Sequence, residues 1–185
     1  CLGAPDMIEV IRRELPEPQG VIVGEPTTMG AVIGHKGMVG LRTVVRGYEA
    51  HSSLTHRGVS AVMTAARLVS HLESVAQDLA KKTPRDNGFE PHHTSVHVGV
   101  IHGGTALNII SGECEFIWDI RNIPGDDPQL LIDLFEQFCR DEVLPGMRAR
   151  YERCAIDTQV LARSPAFDES ASPILSLVQS LIGSD

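Results

Sequence analysis

Three spacings of apolar residues divide this chain. Near its start, Met7, Ile8 and Ile11 follow Ala4-Pro5-Asp6 at helical intervals, and Pro16 and Pro18 end the element because proline cannot continue a helix. Val21-Ile22-Val23 is an unbroken apolar run closed by Gly24. Such a run predicts a strand buried on both faces, as in a parallel sheet, with Glu25 at its carboxyl end. From Ile33 onward the pattern alternates. Val39, Leu41, Thr43 and Val45 share one face of a strand while Arg42 and Arg46 take the other.

A helix follows, with Ala61, Ala65, Leu68, Val69, Leu72, Val75, Ala76 and Leu79 forming its stripe, ending near Thr83-Pro84. Val96, Val98 and Val100 alternate in the next strand. After the Gly103-Gly104 turn, another strand carries Cys114, Phe116, Trp118 and Ile120 on one face and Glu113, Glu115, Asp119 and Arg121 on the opposite one. Asp127 before Pro128 reads as a helix start, Leu130, Leu131, Leu134, Phe135 and Phe138 as its apolar stripe, and Pro145-Gly146 as its stop. A last strand is expected from Arg148 to Ala155. The order strand, helix, strand, strand, helix, strand is the split βαβ pattern. It predicts an α+β, ferredoxin-like domain: a four-stranded antiparallel sheet with both helices on one face, over about residues 33 to 156. Pro173 then opens a helix whose wide apolar face needs a partner.

Composition narrows the function. With 185 residues and 42% hydrophobic content, the chain holds one ordinary core, or one compact domain with flanking pieces of another. A net charge of −8 argues against a protein that reads a nucleic-acid backbone and favours a small-molecule partner. No apolar run approaches a membrane span and no basic-then-apolar leader comes first, so the expectation is a cytosolic protein with no membrane partner. Cys1, Cys114, Cys139 and Cys154 form no CxxC pair, and free thiols are expected, the last three buried as small hydrophobes. The chain opens on cysteine and stops at Gly183-Ser184-Asp185 just after an apolar helix, which reads as an internal piece of a longer protein.

Four clusters carry candidate chemistry, and each has an ordinary structural explanation beside the functional one. Glu25 in Gly24-Glu25-Pro26-Thr27 is suited to bind a divalent metal at a strand end, or is a solvated loop carboxylate. His51 in Ala50-His51-Ser52-Ser53 can donate to a developing oxyanion, or His51 and the serines merely satisfy backbone groups near the helix start. A serine nucleophile is disfavoured, because no Gly-x-Ser-x-Gly turn is present. The glycines of the run from His102 to Asn108 suit a hairpin, whereas Asn108 needs partners for its amide if buried. Arg121 can fork onto a carboxylate or form a cross-strand ion pair. The remaining histidines show no metal-ligand spacing, and His92-His93 reads as an exposed loop pair.

Taken in order, GEPT at Gly24, HKG at His35, AHSS…RGVSA from Ala50, HGGxAxNxI from His102 and DIRxxPG from Asp119 resemble the acetylornithine deacetylase family. That family lies in the clan of dinuclear zinc peptidases that also holds succinyl-diaminopimelate desuccinylase and glutamate carboxypeptidase. The resemblance covers nearly the whole chain. It implies a catalytic domain, represented by residues 1 to 32 and 157 to 185, interrupted by a dimerisation domain over 33 to 156. It implies a homodimer, two zinc ions with cobalt as an alternative, and an N-acyl amino acid substrate, N-acetylornithine first, in arginine biosynthesis. Glu25 matches a zinc ligand, and His51 the histidine that reaches across the dimer to stabilise the tetrahedral intermediate. Asn108 and Arg121 match positions that hold the substrate carboxylate, with Lys36 assisting. The remaining metal ligands and the catalytic base of the family are absent from these residues. Ser60 stands where relatives often have asparagine, and Ser111 where they often have proline. The competing readings are a non-catalytic split βαβ module that dimerises or binds an amino acid, and a relative that hydrolyses another N-acyl amino acid or a peptide.

Overall fold

A computed structural model describes residues 3–24, 26–28, 30–81 and 87–182. Its contacts divide the chain into two compact units, His35–Asp168 on the one hand and Cys1–Gly34 with Glu169–Asp185 on the other. In chain order the elements are α1 (Ala4–Glu14), β1 (Gly34–His35), β2 (Met38–Arg46), β3 (Ala50–His51), a 3₁₀ turn (Ser52–Leu54), α2 (Ala61–Lys81), β4 (Ser95–Gly103), β5 (Ile109–Ile110) and β6 (Glu113–Arg121). They continue with α3 (Pro128–Phe138), a π-helical turn (Cys139–Val143), α4 (Leu144–Arg148), β7 (Ala155–Ser164), β8 (Phe167–Asp168) and α5 (Ile174–Ile182).

The larger unit is the expected split βαβ fold. Its four-stranded sheet has the order β4-β6-β2-β7, and every pairing is antiparallel. Two-residue ladders of β1 with β8 and of β3 with β5 accompany it. The period-two alternation decides which face is covered. Val39, Leu41 and Val45 on β2 and Cys114, Phe116, Trp118 and Ile120 on β6 are all at most 1% exposed. Over them lie Ala61, Ala65, Leu68 and Leu72 of α2 and Ile132 and Phe135 of α3. The Phe135 ring meets Phe116 edge-on and Trp118 at a tilt, with centroids 6.4 and 4.9 Å apart. One polar residue belongs to this face: Thr43 accepts the Trp118 indole N–H at 3.0 Å and shares a hydroxyl bond with Thr158, so its burial leaves no orphaned group. The opposite face is laced by charge, with Arg42 paired to Glu115, Arg46 to Glu113 and Asp157, and Arg121 to Asp119.

Asp127 caps α3 as its position before Pro128 predicts, accepting the Gln129 amide at 2.8 Å. The helix does not stop at Pro145-Gly146, however. It runs through the π turn, across which the Leu144 amide donates to the Cys139 carbonyl, into α4, whose first turn accommodates Pro145. The last strand is therefore displaced. It occupies Ala155–Ser164 instead of 148 to 155, pairs with β2 from Met38↔Ser164 to Arg46↔Ala155, and carries the sheet unit past the expected boundary at 156. Cys114, Cys139 and Cys154 are free and buried as expected, and burial pushes the Cys139 thiol up to about 12. Cys1 lies outside the described residues.

In the smaller unit, α1 and α5 form where the proline punctuation predicts, and neither buries a residue. Residues 21–23 do not form the expected buried strand. Val21, Ile22 and Val23 are 75, 60 and 73% exposed, and among the described residues no neighbouring strand completes a ladder with them. An extended segment without a ladder partner has no β-structure to hold.

Candidate functional site

The turn that carries His51 is built by close backbone approach. As the chain leaves β2, the Gly47 amide donates to the Gly112 carbonyl at 2.8 Å. A Cβ on Gly47 would stand 2.0 Å from the Val59 carbonyl oxygen, so only glycine admits the Tyr48↔Val59 bridge that folds this loop back. β3 then pairs with β5, Ala50 opposite Ile110 and His51 opposite Ile109, and the Ser52 amide donates to the Asn108 carbonyl at 2.8 Å. His51 and Asn108 are thereby neighbours, and both side chains are exposed. Asn108 needs no buried partner for its amide. The imidazole Nδ1 lies 2.8 Å from the Ser53 hydroxyl and accepts the Ser53 amide at 3.3 Å, capping the 3₁₀ turn. Beside this turn is an open cavity of about 820 Å³ lined in part by Ser52, Met63, Arg67, Leu107 and Arg150.

Lys36 and Arg121 sit at the other end of the sheet. Arg121 closes β6, and its Nε donates to Asp119, two residues back on the same strand face, at 2.7 Å rather than across to a neighbouring strand. Lys36 is half-buried and its ammonium donates to the His93 carbonyl at 2.8 Å. Burial lowers its pKa, against the opposing pull of Glu90. The loop that supplies that carbonyl is closed by Asn87, which donates to the His92 carbonyl and accepts the Phe89 amide. His92 and His93 are consequently half-buried, not exposed as the loop reading had it, because the loop folds onto Lys36. The strand β6 separates the two groups: its eight residue steps span roughly 27 Å at the usual rise per residue. Within one chain, His51 and Asn108 come together, and Arg121 and Lys36 share the opposite end.

Glu25 lies outside the described residues. Among the described residues, no group of three or more His, Cys, Asp or Glu side chains is arranged to hold a metal ion. Sequence reasoning missed the role of Ser53 toward His51 and of His93 toward Lys36. The first was visible as a serine two positions after the histidine, whereas the second joins residues 57 apart and had no local signal.

Comparison with known proteins places this geometry in a family. Residues 33–147 match the peptidase dimerisation domain, and the chain belongs to that family. It is 37% identical over 168 residues to acetylornithine deacetylase from Myxococcus xanthus, an alignment covering 89% of this chain and 43% of that protein. It is 31% identical over 170 residues to acetylornithine deacetylase from Aliivibrio fischeri, covering 91% of this chain and again 43% of the relative. The chain thus spans less than half the length of these curated relatives. Among solved structures it resembles aminopeptidase PepT from Bacillus cereus, with a TM-score of 0.59, 18% identity, and coverage of 83% of this chain and 37% of the other. It also resembles a hydantoinase/carbamoylase family amidase from Burkholderia vietnamiensis, with a TM-score of 0.56, 18% identity, and coverage of 83 and 34%. At that identity the structures share the fold.

Proposed function

We propose that this chain is the dimerising part of a metal-dependent amidohydrolase that cleaves N-acetylornithine to ornithine and acetate, a step of arginine biosynthesis. Likeness to acetylornithine deacetylases along about nine-tenths of the chain supports the substrate. The stretches before residue 33 and after the sheet unit are assigned to the catalytic domain. The metal centre, two zinc ions or cobalt, is assigned mainly to residues outside this chain, with Glu25 as the one ligand contributed here.

The observation that carries the reading is the separation of the two clusters along β6. Groups about 27 Å apart cannot hold one amino acid, but two copies of the chain can supply one cluster each to a shared site. In that site Arg121, assisted by Lys36, holds the substrate carboxylate from one subunit. His51 and Asn108 arrive from the other, where Asn108 reaches the same carboxylate and His51 donates to the oxyanion formed at the acetyl carbon. Edge strand β4, with Val100 and Ile101 39 and 48% exposed, and the adjoining helix α2 offer the surface for a homodimer.

The test uses the full-length protein and measures ornithine released from N-acetylornithine. At substrate well below saturation, mixing His51→Ala with Arg121→Ala subunits is expected to raise turnover above that of either variant alone, since a mixed dimer keeps one site with both clusters intact. Absence of ornithine release by the wild type overturns the substrate assignment, and failure of the mixture to recover activity overturns the shared site.

A further inference from the structure

We propose that Ser53 is a positioning residue: it holds His51 in the tautomer protonated at Nε2, so that the outward nitrogen is the donor. The proposal rests on the reading of His51 as an oxyanion donor, and its support comes from the local bonding.

A peptide N–H can only donate, so the Ser53 amide, 3.3 Å from Nδ1, requires a lone pair on that nitrogen. The Ser53 hydroxyl, 2.8 Å from the same atom, has a rotatable proton and can donate there as well. With Nδ1 as acceptor, the ring proton resides on Nε2, because the bond made by one imidazole nitrogen sets the state of the other. The opposite tautomer would point an N–H at the Ser53 N–H. Nε2 has no hydrogen-bond partner among the described residues, and the side chain is exposed. The backbone that aims it is itself pinned, since His51 pairs with Ile109 and the Ser52 amide is bound to the Asn108 carbonyl. The ordinary and the functional explanations of the Ala50-His51-Ser52-Ser53 run therefore describe one bond. The imidazole caps the 3₁₀ turn, and the cap selects the nitrogen that faces outward.

The experiment is ¹⁵N NMR of the full-length protein labelled in its histidine rings, with kinetics on variants. His51 is expected to show an unprotonated Nδ1 and a protonated Nε2. Ser53→Ala is expected to weaken that signature and to lower kcat roughly three- to tenfold with little change in KM, the loss of one hydrogen bond felt mainly in the transition state. Ser53→Thr, which keeps the hydroxyl, should restore both. If Ser53→Ala does not fold, His51→Gln and His51→Asn decide instead. The glutamine amide reaches toward the Nε2 position and should retain more turnover than asparagine, whose amide stands near Nδ1. A His51 protonated at Nδ1, an unchanged signature and kcat in Ser53→Ala, or better activity with asparagine than glutamine overturns the proposal. Full activity in His51→Ala would instead end the oxyanion reading, while the NMR signature still decides the tautomer.

Discussion

At the Glu113 end of the sheet, His51 and Asn108 are placed by main-chain bonds and keep their outward atoms open. At the Arg121 end the cations themselves are tied, Lys36 to the His93 carbonyl and Arg121 to Asp119. The first arrangement suits a group that must enter another molecule's site, since the backbone sets its direction and the side chain retains its donor. The second suits groups that stay in place while a ligand comes to them: the Asp119 carboxylate orients the Arg121 fork through Nε and leaves its terminal N–H groups for a carboxylate. One fold thus holds two clusters of polar side chains by different means.

The comparison breaks most sharply at His51. His51→Ala is expected to reduce kcat of the full-length enzyme on the order of a hundredfold to a thousandfold, the usual cost of an oxyanion donor, with the fold retained by circular dichroism. Arg121→Ala is expected to lower kcat/KM about ten- to hundredfold, mainly through KM, because a hydrogen bond to a charged group contributes about 1.5–3 kcal/mol; Arg121→Lys should recover only part of it. Equal and purely kcat effects at both positions would erase the distinction between a donor and a binding group.

Gly47→Ala attacks the His51 end through the backbone alone. Its Cβ meets the Val59 carbonyl, and overpacking of this kind costs about 1–3 kcal/mol, so the thermal midpoint should fall together with activity. An unchanged midpoint would mean that the loop relaxes without cost.

The smallest expected effect lies between the ends, on α2. His71 stacks on Phe138 with centroids 3.7 Å apart, and burial lowers its pKa below 6.5. Below the folded value both states hold the proton, and above 6.5 neither does. Between the two the unfolded chain binds more proton, so stability should rise with pH across that window and flatten above it. His71→Leu should remove the slope in a urea titration series, and a slope that survives would place the titrating group elsewhere.

Much of this was legible in the residues. The alternation at Val39, Leu41, Val45 and at Cys114, Phe116, Trp118, Ile120 identified both central strands and their covered face, since a period of two leaves no freedom once one face is apolar. The capping Asp127 and the prolines of α1 and α5 marked helix starts correctly. Besides the His92-His93 pair, three readings failed where local pattern is ambiguous. Val21-Ile22-Val23 had the hydrophobicity of a strand but no partner among the described residues, and Pro145-Gly146 looked like a stop yet falls where a new helical turn begins. The edge strand β7 carries mixed side chains, so its position shows only in its ladder with β2. The candidate residues were recognisable by type and order, whereas their division between two ends of the sheet was not.

By itself the sequence determined the split βαβ architecture, the covered face and the residue types available for chemistry, because periodicity and turn chemistry act over a few residues. Only the tertiary structure decided that His51 adjoins Asn108 while Lys36 meets His93 and stands with Arg121 a strand length away. Those neighbours are set by antiparallel register and loop closure across 57 residues or more, and register is a property of paired strands that no single segment contains.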